Sequence, residues 1–216
     1  MTVAPVVVRV GPAPDDPASS TISAVGSDGE VVATGVWSSP DAPLAGVVDE
    51  LLGALDTVAS SVEIVAVPGL VALAADGRLL HRPLVGPGPE TEPDAGWLCR
   101  QLPGGADDWV AAVGAPPAAG GMLARLSWLH RSEAEAWAGM ATALTPAAWM
   151  VRALTGRAVT TEADAASTGC WNPGGWRFDL LAIVDRDRDW SEAVPAVADP
   201  GSSAVGVWRS VPVRVV

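Results

Sequence analysis

The sequence contains no lysine and no tyrosine, and only two histidines, two cysteines and one phenylalanine among its 216 residues. All thirteen basic residues are arginine. Without lysine there is no phosphate-loop lysine, no Schiff base and no lysine clamp on a phosphate. Twenty-five acidic residues against thirteen basic ones leave a net charge of −12. A chain this acidic offers no cationic footprint for nucleic acid or for an anionic membrane surface. Cys99 and Cys170 are too few for a disulfide scaffold or a four-thiolate zinc site. His81 and His130 lack a cysteine or carboxylate at ligand spacing and are read as bystanders. There is no Gly-x-Ser-x-Gly elbow. No uninterrupted apolar run reaches the length of a membrane span, and Met1–Val10 lacks the cationic start of a signal peptide. These absences point to a cytoplasmic chain.

What is present describes a globular protein. Apolar residues make up 49% of the chain and charged residues 18%, enough to build a core. A chain of this size hides roughly 70% of its unfolded surface on folding. The first part reads mostly as strands. Pro5–Val10 is a β-branched run, and Thr21–Val25 and Glu30–Trp37 flank the turn Gly26-Ser27-Asp28-Gly29. Leu44–Val58 places leucines and valines at spacings of three and four, which predicts an amphipathic helix. Val62–Val67, Leu70–Ala74 and Leu79–Val85 follow as strands. Strands, a crossing helix and further strands make an α/β arrangement around a mixed sheet.

Gly86–Pro93 alternates proline and glycine and reads as a loop. Helices are expected at Asp94–Leu102, Asp107–Val113, Met122–His130, Glu133–Met140 and Pro146–Leu154. Ser132 and Thr145 serve as caps, and Gly156 as a stop. A turn at Asn172–Gly175, a helix at Phe178–Asp185 and an apolar tail, Val205–Val216, complete the chain. Asp185–Asp189 begins like a calcium loop. Trp190 and Ala196 then occupy the glycine and closing-glutamate positions, so it reads as a charged helix end. Glu90, Glu92 and Asp94 read as a solvated acidic loop, and the ten tryptophans as core and interface packing. No metal site is expected.

Three stretches carry a further signal. Met122-Leu123-Ala124-Arg125-Leu126-Ser127-Trp128-Leu129-His130 is followed by Leu144-Thr145-Pro146-Ala147-Ala148-Trp149 and then by Thr161-Glu162-Ala163-Asp164-Ala165-Ala166-Ser167. Together with Ala75-Asp76-Gly77-Arg78 through Pro83, and with Gln101–Ala106, they resemble the FGGY carbohydrate kinases, most closely bacterial xylulokinases. The resemblance runs over about residues 60–213, and covers 1–59 in layout only. It implies a ribonuclease H-like, actin-like amino-terminal domain over residues 1–213: a strand core at 1–92, a helical excursion at 94–155 and a return to the core at 156–213. It also implies a second lobe, with ATP and Mg²⁺ used in the cleft between the lobes.

The family's ligand-contacting parts are altered here. Its phosphate turn is matched by Gly11–Ser20, where three prolines delete amide donors; Asp15, Asp16, Ser19 and Ser20 are the remnant positions. Its sugar-side glutamine-methionine-histidine-glycine is matched by Ala66-Val67-Pro68-Gly69. A histidine that donates to sugar hydroxyls has become a proline. Its tryptophan-asparagine-aspartate segment is matched by Leu84–Pro89, which has no such side chain. The sugar-pocket positions that the resemblance implies are therefore Val67, Pro68 and Asp164. Arg125, Arg152 and Arg157 also match family positions and read equally as surface or helix-capping charges. The family's catalytic aspartate follows a valine-proline-valine strand, and Val211-Pro212-Val213 stands three residues before the last residue here.

The expectation is a truncated, degenerate sugar-kinase lobe with no catalytic residue, no cofactor of its own and no stand-alone phosphotransfer. One rival reading is half of a split pentulose kinase, completed by a separate carboxy-terminal lobe. The other is an interaction module that binds a protein or a second copy of itself, with the apolar tail as the exposed surface.

Overall fold

The computed structural model describes residues 6–12, 19–37, 43–200, 202 and 204–216. Its strands are β1 (Val6–Pro12), β2 (Ser20–Val25), β3 (Val31–Trp37), β4 (Ala59–Ile64), β5 (Gly69–Leu73), β6 (Leu84–Val85) and β7 (Thr142–Leu144), followed by β8 (Val159–Thr160), β9 (Trp171–Asn172), β10 (Gly175–Trp176), β11 (Ala196–Val197), β12 (Gly206–Trp208) and β13 (Val211–Val215). Its helices are α1 (Leu44–Ala54), α2 (Glu92–Cys99), α3 (Ala106–Val113), α4 (Met122–Ser132), α5 (Ala134–Gly139), α6 (Pro146–Thr155), α7 (Glu162–Ala166), α8 (Phe178–Leu181) and α9 (Trp190–Ala193). The chain separates into two compact units. One comprises residues 1–66, 147–160 and 198–216, and the other 67–146 and 161–197.

The first unit is built on a six-stranded sheet in the order β12-β13-β4-β1-β2-β3. β1, β2 and β3 form an antiparallel meander, and β4 lies parallel to both β1 and β13. β-branched residues fill its interior, where Val8, Val10, Ile22, Val62, Ile64 and Val213 are fully buried. α1 packs on the same core with Leu44, Val48, Leu51 and Leu52, and α6 with Ala147, Met150, Val151 and Leu154. An antiparallel meander, a crossover helix and a parallel strand make the ribonuclease H-like plan that the sequence predicts.

Two expectations change in this unit. α1 stops at Ala54 rather than running to Val58. Leu55 and Thr57 bond back to the Leu52 carbonyl and Asp56 takes a left-handed φ of 49°, which frees the chain to start β4 at Ala59. The tail Val205–Val216 is in part core rather than wholly exposed: β13 lies between β12 and β4, while Val207 and Val216 stay exposed. Val205 and Trp208 are buried with Val213.

The second unit carries the three-stranded antiparallel sheet β6-β5-β7. Every residue of β5 is buried, and its core joins Leu70, Leu98, Trp109, Met122, Leu126, Leu129, Cys170 and Leu181. The strand expected at Leu79–Val85 shrinks to Leu84–Val85 plus one bridge, Leu73 to Leu79. Pro83 has no N–H to donate to a ladder. Ser132 does not cap a new helix; it is the last residue of α4, and Glu133 leads into α5. The helix expected over Phe178–Asp185 ends at Leu181, so Asp185–Asp189 is a loop rather than a charged helix end. Arg188 anchors that loop. Its guanidinium lies 4.5 Å from the Trp137 ring centroid and donates to the Trp137 and Met140 carbonyls. Among the described residues, no helix is long and apolar enough to cross a membrane.

Candidate functional site

The link from β4 to β5 carries Val67, half-buried, and Pro68, exposed. Gly69 opens β5 at a point where three segments touch. A Cβ at this position would stand 2.6 Å from the Leu84 carbonyl oxygen and 2.8 Å from Pro146 Cγ, so a side chain is excluded. The register gives the reason: β5 pairs with β6 through Gly69 and Val85, and with β7 through Val71 and Leu144. The segment Leu84–Pro89 therefore lies on one side of Gly69, and Thr145-Pro146 on the other.

Thr145 connects this place to α7. Its hydroxyl donates to Asp164 Oδ2 at 2.5 Å, and Asp164 is 2% exposed. A buried carboxylate is retained where hydrogen bonds hold it. α7 is set by Thr161, whose side chain caps it by accepting from the Asp164 amide. Through Gly69, Pro146 and Thr145, the fold gathers the positions Val67, Pro68 and Asp164 at one end of β5. Of these three, only the aspartate carries a polar side chain.

The neighbouring loop is fixed from inside by Arg125. This residue is 1% exposed, which makes it neither a surface charge nor a helix cap. Its Nε donates to the Gly120 carbonyl and its Nη2 to the Gly86 carbonyl, both at 2.7 Å. Burial pushes the guanidinium below the ordinary arginine value, and the Glu90 carboxylate at 3.8 Å works against that shift. Gly88, with φ 61°, passes so close that a Cβ would lie 2.9 Å from Arg125 Nη2. Thr91 completes the tie, donating to the Gly88 carbonyl and accepting from the Gly120 amide. Arg152 is half-buried and Arg157 exposed.

The acidic loop reading changes as well. Asp94 is 4% exposed, accepts from Ser127 Oγ at 2.9 Å and pairs with Arg131 Nη2 at 2.8 Å. Composition hid this contact, although Ser127 and Arg131 sit four residues apart on one face of a helix, a spacing that a sequence shows.

Of the phosphate-loop positions, Asp15 and Asp16 lie outside the described residues. Ser19 and Ser20 are both buried, and Ser20 pairs with Pro12 and Trp37 inside the sheet. Among the described residues, no group of three or more histidines, cysteines, aspartates or glutamates gathers to hold a metal ion.

No protein-family profile matches the chain. A curated relative does: the xylulose kinase of Streptomyces rubiginosus is 30% identical over 138 residues, 63% of this chain. Over that stretch the chain is similar to a xylulose kinase. The fold agrees. The xylulose kinase of Bifidobacterium adolescentis superposes with a TM-score of 0.71 at 20% identity, covering 91% of this chain and 48% of the kinase. Plasmodium falciparum glycerol kinase, solved with ADP, superposes with a TM-score of 0.76 at 12% identity, covering 100% of this chain and 49% of the kinase. The architecture is the actin-like fold of the FGGY sugar kinases. The matched stretch spans 28% of the Streptomyces relative, and the fold match spans about half of each solved kinase.

Proposed function

We propose that residues 1–213 form the amino-terminal lobe of a xylulokinase-like sugar kinase with a degenerate sugar pocket, and that this span alone transfers no phosphate. The observation that carries the reading is the end of β5. Where the family places a histidine, Pro68 stands exposed, and the adjoining segment Leu84–Pro89 contributes leucine, valine, glycine and proline side chains only. Sugar recognition works through side-chain donors and acceptors that leave no hydroxyl unpaired. Proline donates nothing, and Asp164 is held by Thr145. Phosphoryl transfer also depends on positioning and on charge neutralisation at the phosphates, which the buried Ser19 and Ser20 do not supply. The reading places the chain in the cytoplasm.

The test is a coupled assay of ATP turnover with Mg²⁺ and D-xylulose, D-ribulose or glycerol as acceptor. Turnover at the no-enzyme background supports the reading. Acceptor-dependent turnover from this chain alone overturns it.

A second reading rests on the extent of the match. Each solved kinase is about twice the span of this fold, so these residues would be one half of an ATP- and Mg²⁺-dependent pentulose kinase acting with a carboxy-terminal lobe. Saturable pentulose binding by this span would favour it.

A further inference from the structure

A cleft of about 500 Å³ opens in the second unit, sharing no residue with the sugar-pocket positions. α2 contributes Pro93, Asp94 and Trp97, α4 contributes Ser127, His130 and Arg131, and the turn after α8 contributes Ile183 and Val184. The volume suits one ring-sized organic molecule with a short tail. Its walls divide by chemistry. Pro93, Trp97, Ile183 and Val184 are apolar, and Trp97 as a residue is 39% exposed, which is open for a tryptophan. The polar groups all belong to one patch, Asp94 with the three residues of α4.

Charge within that patch decides what it accepts. The Asp94 carboxylate is buried, with Ser127 Oγ on Oδ1, Arg131 Nη2 on Oδ2 and Arg131 Nε 3.4 Å from Oδ1. Its negative charge is matched at short range. The Arg131 side chain is 59% exposed and meets Asp94 edge-on through Nε and Nη2, so Nη1 and its two N–H groups face away from that pair. His130 also lines the cleft, and its ring stacks on Trp137 at 4.5 Å. The outstanding hydrogen-bonding capacity of Arg131 is of donor type, on a guanidinium already held in one orientation. The Asp94–Arg131 pair is neutral as a whole, so Nη1 offers oriented hydrogen-bond donors that suit one carboxylate and no surplus charge for a phosphate dianion.

We propose that this cleft binds a small aromatic monocarboxylate, its ring against Trp97, Ile183 and Val184 and its carboxylate on Arg131 Nη1 and His130. Asp94 and Ser127 are positioning residues that hold the guanidinium.

The full chain is titrated with phenylacetate and followed by the indole N–H signals in ¹⁵N-labelled protein, with the Trp97 signal assigned from Trp97→Phe. The expected result is saturable binding that moves the Trp97 signal. Benzyl alcohol, which keeps the ring and lacks the charge, binds at least about tenfold more weakly, because a charge-assisted hydrogen bond accounts for a factor of this order. Arg131→Gln gives a similar loss. Trp97→Ala, which touches no buried polar group, weakens binding while leaving the fold intact and provides the test if Arg131→Gln fails to fold. Equal binding of phenylacetate and benzyl alcohol overturns the proposal. So does preferential binding of inorganic phosphate, or the absence of saturation up to about 10 mM phenylacetate.

Discussion

Replacing Arg125 with methionine removes a buried guanidinium while keeping an unbranched apolar stem of similar length. Two charge-assisted hydrogen bonds go with it, to the Gly120 and Gly86 carbonyls. The two losses differ. Gly86 is exposed, so its carbonyl finds water and contributes little, whereas Gly120 is buried and its carbonyl is left without Arg125. Stranding one buried acceptor costs about 1–3 kcal/mol, and the lost charge-assisted bonds raise the total to about 3 kcal/mol. Release of the desolvated charge offsets a part of that. Arg125→Lys keeps a point charge without the fork, reaches one carbonyl at best and falls in between. The assay is urea unfolding by far-ultraviolet circular dichroism, alongside Arg9→Met, whose exposed pair with Glu63 contributes at most about 1 kcal/mol. In a thermal scan, a loss of 3 kcal/mol corresponds to a fall of roughly 6–12 °C in Tm for a chain of this length. If Arg125→Met stays within about 0.5 kcal/mol of the parent chain, Arg125 does not hold the loop, and the structural account of this family-matched residue fails.

Gly69→Ala brings a Cβ to 2.6 Å from the Leu84 carbonyl oxygen, so β5 and β6 must shift. A loss of about 1–3 kcal/mol in urea unfolding is expected, and an unchanged midpoint would mean the strands give way freely. Cys170 is fully buried and its thiol is pushed up to about 12 by desolvation, with a bond to Thr168 working the other way. In the native chain iodoacetamide therefore reaches Cys99 first, and Cys170 only after unfolding; equal labelling of both thiols contradicts this. The same burial sets an alkaline limit. A thiol whose folded pKa is raised stabilises below its unfolded value, and that stability fades as pH climbs toward the folded one. The chain has no lysine or tyrosine to titrate in that window. Stability of a Cys99→Ser background is expected to fall by on the order of 1 kcal/mol per pH unit above about 9, and the slope to vanish in Cys170→Ala. A slope that persists without Cys170 refutes the assignment.

The strand-rich opening and the helical middle were legible because their apolar spacing matches the periods of strand and helix. Val8, Val10, Ile22, Val62 and Ile64 are where alternation and β-branching put them. Element ends were less legible, because they depend on individual groups: Asp56 turning left-handed after α1, and Pro83 interrupting a ladder. The sugar-side positions came from a resemblance, and the fold explains their grouping through Gly69, Pro146 and Thr145, none of which carries a local signal of contact with the others. The buried ionic contacts were the least legible. Arg125 and Asp94 each pair with groups about thirty to forty residues away, and composition assigns arginine and aspartate to the surface by default. The tail divides for a related reason, with Val205, Trp208 and Val213 buried and Val207 and Val216 exposed. An apolar hairpin can cover a core or a partner, and only the parallel pairing of β13 with β4 distinguishes them.

If the sugar pocket proposed at the end of β5 is degenerate, this chain does not bind D-xylulose. Isothermal titration of this chain with D-xylulose, beside a Pro68→His variant that returns the family's residue to its position, measures it directly. The account predicts no saturable heat from the parent chain up to about 10 mM, a concentration at which even a weak kinase pocket would fill. Binding by the parent chain at millimolar or tighter affinity, weakened by Asp164→Asn at the same end of β5, would contradict it.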